Sequence, residues 1–334
     1  MFNNFDGFYL VTGACGFVGS HMVEFLIRKG LPVVATDIVS CPNIIDISKT
    51  PFIKADLTKK SDIRRIFKKF RISKIFHIAA IFSYSAPWNL LFRVNVGGTK
   101  NLCEVSLNYD VDRIIVWSSG SVYGIPDKIP VSEDHPLRPI NDYERSKAFQ
   151  EIVALRYYRE NGLPVTIIRP AAIYGPRSKY GVALPILLLA KSGTFFIPGR
   201  GDIKPALVHV SDVVSAAYFL AENPKAVGEV YNVCDDSSYT VRELIFAASK
   251  FVNGLFLNIS VPLPILYSLA AISLAYSKIV KDKPLIELNA LRYLTYDSLM
   301  DNSKLKSLGY KLIYPDTLVG LFQTIKWFKK EGLI

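Results

Sequence analysis

One short segment near the N-terminus, TGACGFVG from Thr12 to Gly19, restricts what this chain can fold into. It follows the apolar run FYLVTG and precedes GSHMVEFLIRKG, which has the apolar spacing of a helix and closes with Gly30. Gly13 allows a tight turn out of a strand, Gly16 lets a pyrophosphate approach the main chain, and Gly19 lets the next helix pack against the sheet. Phe17 and Val18 open that helix, whose unpaired N–H groups face the phosphates. A strand, a glycine turn and a helix in this order require a parallel sheet around them.

The alternation continues. PVVATD ends a second strand at Asp37, FIKADL a third at Asp56, KIFHIAA a fourth at Ala80 and RIIVWSS a fifth at Ser119. Further strands are expected at Val165 to Pro170 and Glu229 to Val233. Continuous apolar runs separated by helices indicate a parallel sheet covered on both faces. The fold class is therefore α/β, a Rossmann-type doubly wound parallel sheet. After Tyr174 the alternation weakens into a smaller, mainly helical C-terminal region, in which TVRE (Thr240 to Glu243) is a capping box. The expected division is an NAD-binding part at 1–175, with strands near 205–235 returning to it, and a mainly substrate-binding part at 176–334. The two parts interleave.

Asp37, at the end of the second strand, has close to the spacing expected of an acid on the adenosine ribose. Its carboxylate accepts both ribose hydroxyls and repels a 2′-phosphate. Ile38 follows with no adjacent arginine, so NAD is favoured over NADP. Downstream, YERSK places Tyr143 and Lys147 one helical turn apart on the same helix face. A cation beside a phenol favours the phenolate, which makes a proton-transfer device.

Composition narrows the remaining classes. The formal charge is +11, with the excess in KKSDIRRIFKKFRISK and the tail KWFKKEG. A solvated helix face explains it most simply, an anionic lipid or ligand is the sharper reading, and no nucleic-acid-binding module accompanies it. Cys15, Cys41, Cys103 and Cys234 form no CxxC pair, so neither a disulfide framework nor a zinc site is expected and a reducing compartment fits. His21, His77 and His209 lack metal-ligand spacing, and no metal is expected. No basic segment followed by an apolar one opens the chain, and a cytoplasmic location is expected. From Phe251 to Ser277 there is no charged side chain, but Pro262 and Pro264 leave a helix too short to span a bilayer. That stretch is expected to be a buried helix or an apolar lid, with a peripheral membrane contact as the alternative.

Taken in order, the motifs resemble the extended short-chain dehydrogenases, the NAD-dependent epimerase/dehydratase superfamily. They are TGACGFVG, Asp37, ADL at Ala55 to Leu57, HIAA at His77 to Ala80, VNVGGT at Val94 to Thr99 and SSGSVYG at Ser118 to Gly124. YERSK, RPAAIYGP at Arg169 to Pro176 and HVSD at His209 to Asp212 complete the series. The resemblance implies that Asp56 and Leu57 border the adenine, Ala79 and Ala80 line the cofactor cleft, and Pro170 and Ile173 pack near the nicotinamide. Ser119 becomes the substrate-orienting hydroxyl, with Ser118 and Ser121 as neighbours easily confused with it. Asn95 supports the active-site hydrogen bonds, and Tyr143 with Lys147 carries the chemistry. It also implies a homodimer through helices near Thr99 to Leu107 and Tyr143 to Tyr158.

Three departures bear on the small-molecule substrate. Where similar 4,6-dehydratases carry an acidic pair, this chain has Gly120 and Ser121. Where nucleotide-sugar epimerases have an asparagine and an arginine for the substrate diphosphate, it has Ala172 and Pro205, with Lys204, Arg177 and Arg200 as possible substitutes. The expectation is reversible hydride transfer at a secondary alcohol or ketone on an apolar, sterol- or isoprenoid-like substrate, closest in character to 3β-hydroxysteroid and sterol dehydrogenases. The alternatives are a nucleotide-sugar 4-epimerase and an NAD-binding scaffold without turnover.

Overall fold

The structure is a computed structural model that describes residues 7–40, 50–178, 181, 183–280, 284 and 286–334. Its first half alternates as the apolar runs require: β1 Phe8–Thr12, α1 Phe17–Arg28, β2 Val33–Asp37, β3 Phe52–Lys54, α2 Lys60–Lys69, β4 Ile72–His77, α3 Trp88–Leu91, α4 Gly97–Ser106, β5 Arg113–Trp117, α5 Asp142–Asn161 and β6 Val165–Pro170. A π-helical turn, Phe92–Val96, joins α3 to α4. The second half contributes β7 Ala172–Tyr174, α6 Ala183–Ser192, β8 Thr194–Pro198, β9 Leu207–His209, α7 Val210–Glu222, β10 Val230–Val233, α8 Val241–Val252, β11 Leu255–Val261, α9 Leu263–Val280, α10 Ser303–Ser307 and α11 Thr317–Lys330.

Among the described residues the main sheet has seven strands in the order β10-β6-β5-β4-β1-β2-β3, with every neighbouring pair parallel. Strand period explains how both faces are covered. In β1, Tyr9 and Val11 join a core with Met22, Val23, Leu220 and Tyr231, whereas Leu10 points the other way, to Ile63, Leu102 and Ile167. The chain reverses direction across the sheet between β1 and β4, so a crevice opens at their C-terminal ends, where such sheets bind ligands.

Asp56, Ala80 and Ser119 lie just beyond their strands rather than within them, on the turns that line this crevice. Helix α5 is delimited as its sequence dictates: Asn141 caps the Glu144 N–H at 3.0 Å, and Gly162 takes a left-handed conformation at the C-terminus, φ +69°. The capping box at Thr240 and Glu243 is formed. Beyond the main sheet, β11 pairs with β8 and β7 with β9, both in parallel.

Two expectations are corrected. Cys15 is disulfide-bonded, although scattered cysteines without a CxxC pair argue against such bonds; Cys103 and Cys234 are free, and Cys41 lies outside the described residues. Helix α9 is not the buried helix expected. It buries Leu266 and Ala270 and leaves most of its apolar side chains in solvent, because only the short helical segment around Leu291 packs beneath it.

Candidate active site

The glycine loop is shaped for close approach. Gly13 has φ +67°, and a Cβ there would lie 2.8 Å from the Ala79 Cα. A Cβ on Gly19 would sit 2.0 Å from the Gly13 carbonyl oxygen, which is why the first turn of α1 tolerates no side chain at that position. At Gly16 the same test meets only the Gly13 oxygen, at 3.2 Å, so its outer side is open. Gly16 is also the N-cap of α1 and offers no side chain, which leaves the first-turn N–H groups of Phe17 and Val18 for a ligand. The Asp37 carboxylate is held at the mouth of this loop, accepting from Cys15 N at 3.0 Å and Val39 N at 3.3 Å. Asp56 accepts from the Thr58 N–H and hydroxyl at 2.9 and 2.7 Å, and Leu57 packs against Gly98. These groups fit a dinucleotide: a backbone cradle for two phosphates, an acid for the ribose and an apolar slot between the adjoining turns.

A buried hydrogen-bond relay ties the cradle to the catalytic helix. Thr99 donates to the Asn95 carbonyl at 2.7 Å, so its oxygen accepts from His77 Nε2 at 2.8 Å. His77 Nδ1 is then an acceptor and takes the Thr12 hydroxyl at 3.0 Å, while Thr12 itself accepts from the Ile78 and Ala79 N–H groups at 3.1 Å. This assigns a neutral Nε2–H imidazole, in agreement with burial pushing the His77 pKa down to about 3. Asn95 extends the relay, accepting from Ile81 N at 2.8 Å and donating to Ser146 Oγ at 2.9 Å, one residue before Lys147. It thereby fixes the segment after Ala80 against α5, and the π-helical turn that carries it gives the side chain its inward aim. His21 and His209 serve as local hydrogen-bond partners, on the Pro176 carbonyl and Gln323.

Ser119 lies beside Tyr143, Gly120 beside the Pro170 carbonyl, and Asn95 beside Ser146 on α5, one residue before Lys147. Tyr143 is buried, with Ser119 hydrogen-bonded to its phenol. Ser119 caps the 3₁₀ turn Gly120–Tyr123 and pairs with Ser121 Oγ at 2.8 Å. Ser118 is set apart from it, donating to Glu151 inside the protein. A Cβ on Gly120 would meet Met300 Sδ at 2.5 Å and the Pro170 carbonyl at 3.2 Å, so a thioether closes the position where an acid would otherwise stand. Ile173 lies in β7, partly buried, one residue past the exposed Ala172.

Electrostatics differ from the expectation of an acidified phenol. Burial first, then the Glu144 carboxylate, raise the Tyr143 pKa, and only the Ser119 hydrogen bond lowers it. Burial also lowers the Lys147 pKa to about 7, against the opposing pull of Glu151. Lys147 Nζ donates to Gln150 Oε1 at 2.5 Å. Burial therefore disfavours the charged form of both side chains, and a positive charge nearby, such as a bound nicotinamide would supply, favours the phenolate.

Several residues escaped sequence reasoning. Phe82 and Tyr84 set their rings edge-on to Tyr143, with centroids 5.1 and 5.5 Å away. Tyr293, from the C-terminal region, contacts Tyr84 at 5.6 Å and donates to Glu144. Glu287 holds this wall, accepting from Ser83 Oγ and Ser85 Oγ at 2.8 Å each and from Tyr84 N at 3.1 Å. Beneath Ser119, Arg169 makes a bidentate pair with Glu151 at 3.0 and 2.7 Å and donates to the Tyr123 hydroxyl at 2.8 Å. The aromatic spacing just after HIAA was the available signal for Phe82 and Tyr84; nothing local announced Glu287 or Tyr293, which arrive from 200 positions away or more.

A family model for the NAD dependent epimerase/dehydratase family matches residues 9–234. The chain belongs to that family. Among its curated relatives, a putative UDP-glucose 4-epimerase of Methanocaldococcus jannaschii is 34% identical over 70% of this chain and 79% of its own length. The sterol-4-alpha-carboxylate 3-dehydrogenase, decarboxylating, of Bos taurus is 32% identical over 68% of this chain and 64% of its own. Among solved structures, the Thermotoga maritima UDP-glucose 4-epimerase with UDP-glucose has a TM-score of 0.81 at 27% identity, covering 97% of this chain and 99% of that one. The Thermus thermophilus UDP-glucose 4-epimerase in complex with NAD has a TM-score of 0.77 at 26% identity, covering 96% and 99%. This family member is an enzyme, and its cofactor is NAD.

Proposed function

We propose that the enzyme is an alcohol dehydrogenase or ketone reductase acting at a secondary carbinol carbon of an apolar, sterol- or isoprenoid-like substrate. The observation that carries this reading is the aromatic wall: Phe82 and Tyr84 flank the Tyr143 ring, and Tyr293 backs Tyr84, so the reacting oxygen is framed by apolar surface. Of the three cations that could serve a diphosphate, Arg177 and Arg200 stand in ion pairs, and Lys204 is the one whose ammonium has none among the described residues. Arg177 is paired in bidentate fashion with Glu24 at 2.7 Å, and Arg200 with Asp202 at 3.2 Å. Ala172 and Pro205 supply no charge, which leaves such a group with fewer charge-assisted bonds.

In this reading Ser119 holds the substrate oxygen, and Tyr143 takes its proton on oxidation and returns it on reduction. NAD, when bound, accepts or gives back the hydride at the same carbon. Lys147 moves from Gln150 toward the cofactor, where its positive charge favours the phenolate. Asn95, through Ile81 and Ser146, keeps the wall and the catalytic helix in register. Phe82 and Tyr84 exclude water from the phenol.

A nucleotide-sugar 4-epimerase is the second reading, favoured by the similarity to UDP-glucose 4-epimerases. Incubating the enzyme with NAD and a panel of hydrophobic secondary alcohols, sterols included, should produce reduced-nicotinamide absorbance. Interconversion of UDP-glucose and UDP-galactose with no turnover of those alcohols overturns the first reading in favour of the second.

A homodimer through α4 and α5 belongs to the same proposal. Phe92, Leu107, Phe149 and Ile152 expose apolar surface on or beside these helices, and Trp88 stacks with Phe149 at 5.9 Å. A cytoplasmic location is proposed from the sequence, and extraction with the cytosolic fraction would test it.

A further inference from the structure

Surface helices ordinarily turn charge outward. Helix α2 does so, burying Ile63, Ile66 and Phe67 while Arg64, Arg65, Lys68 and Lys69 face solvent. Helix α9 does the opposite. Its outer stripe consists of Ile265, Leu269, Ile272, Tyr276 and Ile279, spaced four, three, four and three residues apart, and these side chains are 46–78% exposed. Pro264, Ser268, Ala271 and Ala275 flank the stripe, also exposed and all small or uncharged. The preceding strand β11 adds Leu255 and Ile259, 62% and 59% exposed. No charged side chain occurs from Phe251 to Ser277. Apolar side chains exposed at this helical spacing are not the singly scattered ones that a free surface ordinarily carries.

The border of this surface is basic. Gly199 packs against Leu263 at the start of α9, and the adjacent Arg200 is almost fully exposed. Arg242 donates to the Arg200 carbonyl at 3.1 Å and to Asn258 of β11. Lys250 lies over the Phe246 ring at 5.0 Å, and that ring contacts Phe256 of β11. The acids beside them are Asp202, which pairs with Arg200, and Glu243, which closes the α8 capping box. In the sequence, the segment from Lys278 to Lys283 holds three lysines and the single acid Asp282.

We propose that α9 and β11 dock the enzyme onto an anionic phospholipid bilayer, lying in its plane with the apolar stripe among the acyl chains and the basic border on the headgroups. Eighteen residues make a helix about 27 Å long. Among the described residues no helix is long and apolar enough to cross a membrane, so α9 lies on the bilayer rather than through it. Charge selects this occupant over a second copy of the chain. The border carries Arg200, Arg242 and Lys250, and the neighbouring acids Asp202 and Glu243 are already engaged, so a second copy on this face would set like charges against like. The proposal does not depend on which substrate the active site takes.

Co-sedimentation of the full chain with vesicles tests it. The protein should bind vesicles of equal phosphatidylglycerol and phosphatidylcholine, bind pure phosphatidylcholine more weakly, and lose part of its binding at high salt. Replacing Ile265, Leu269 and Ile272 together by Gln should weaken binding by about tenfold or more, with NAD affinity unchanged as the check on folding. In a second variant, Ile272→Trp, tryptophan emission should shift to the blue on adding the anionic vesicles. No binding by the wild-type chain overturns the proposal. So does a dimer by light scattering that the triple variant dissociates, which would assign the stripe to a second copy. Failure of vesicle binding leaves the hydride-transfer reading intact, and failure of alcohol turnover leaves the docking intact.

Discussion

Lys147 Nζ donates to Gln150 Oε1 at 2.5 Å, one turn further along α5 and away from Tyr143. Both partners are buried. The Lys147 amine therefore has a neutral amide oxygen, not a carboxylate, as its hydrogen-bond partner. A carboxylate there would hold it, and water would dilute its charge.

The lowered pKa of Lys147, from an ordinary 10.5 to about 7, makes stability pH-dependent. Between these values the unfolded chain binds a proton at this position that the folded chain does not, so the contribution to stability rises with pH across that window. Urea unfolding of the NAD-free enzyme should show this rise between about pH 7 and 9, and Lys147→Met should flatten it.

Tyr143→Phe keeps the ring packed between Phe82 and Tyr84 and removes only the proton carrier. Turnover should fall by about 10²–10⁴-fold, while NAD affinity, read by fluorescence titration, stays within a few-fold. A variant that kept more than a tenth of its rate would show that the phenol is not the acid/base.

Glu287→Ala removes the acceptor that Ser83, Tyr84 and Ser85 share. The wall then loosens while Ser119, Tyr143 and Lys147 stay in place. The expected signature is a rise in KM several times larger than the fall in kcat. Glu287→Gln, which keeps one acceptor oxygen, should restore most of the difference. Equal losses in both constants would place Glu287 among residues that merely support folding.

The Glu151–Arg169 pair is almost completely buried, with side chains 2% and 6% exposed. Breaking it with Arg169→Met strands a carboxylate and should cost about 3–5 kcal/mol. The double change Glu151→Met with Arg169→Met should recover much of that loss. Denaturant midpoints measure both, and a single variant within 1 kcal/mol of wild type, an amount small on the scale of buried pairs, would exclude the stranded-charge argument.

Much of the site was legible because its parts are local. A glycine loop, an acid at a strand end and a tyrosine one turn from a lysine each declare themselves within a few positions, and strand period carries Val11 and Leu10 to opposite faces of one sheet. The motif already separated Ser119 from Ser118, and the structure adds that Ser118 donates inward to Glu151 whereas Ser119 caps the turn after β5. The apolar run of α9 was read as buried because burial is the usual fate of such residues; which side of a helix finds a partner is set by what the rest of the chain brings to it.

The sequence alone determined the doubly wound sheet and the NAD cofactor, and it named Tyr143 as the proposed proton carrier, because each reading depends on short-range geometry that backbone sterics and side-chain spacing impose. Only the tertiary structure decided the direction in which burial shifts Tyr143 and Lys147, the wall held by Glu287 and the exposure of α9. Desolvation and long-range contact depend on atoms hundreds of residues apart in the chain, and no local pattern encodes them.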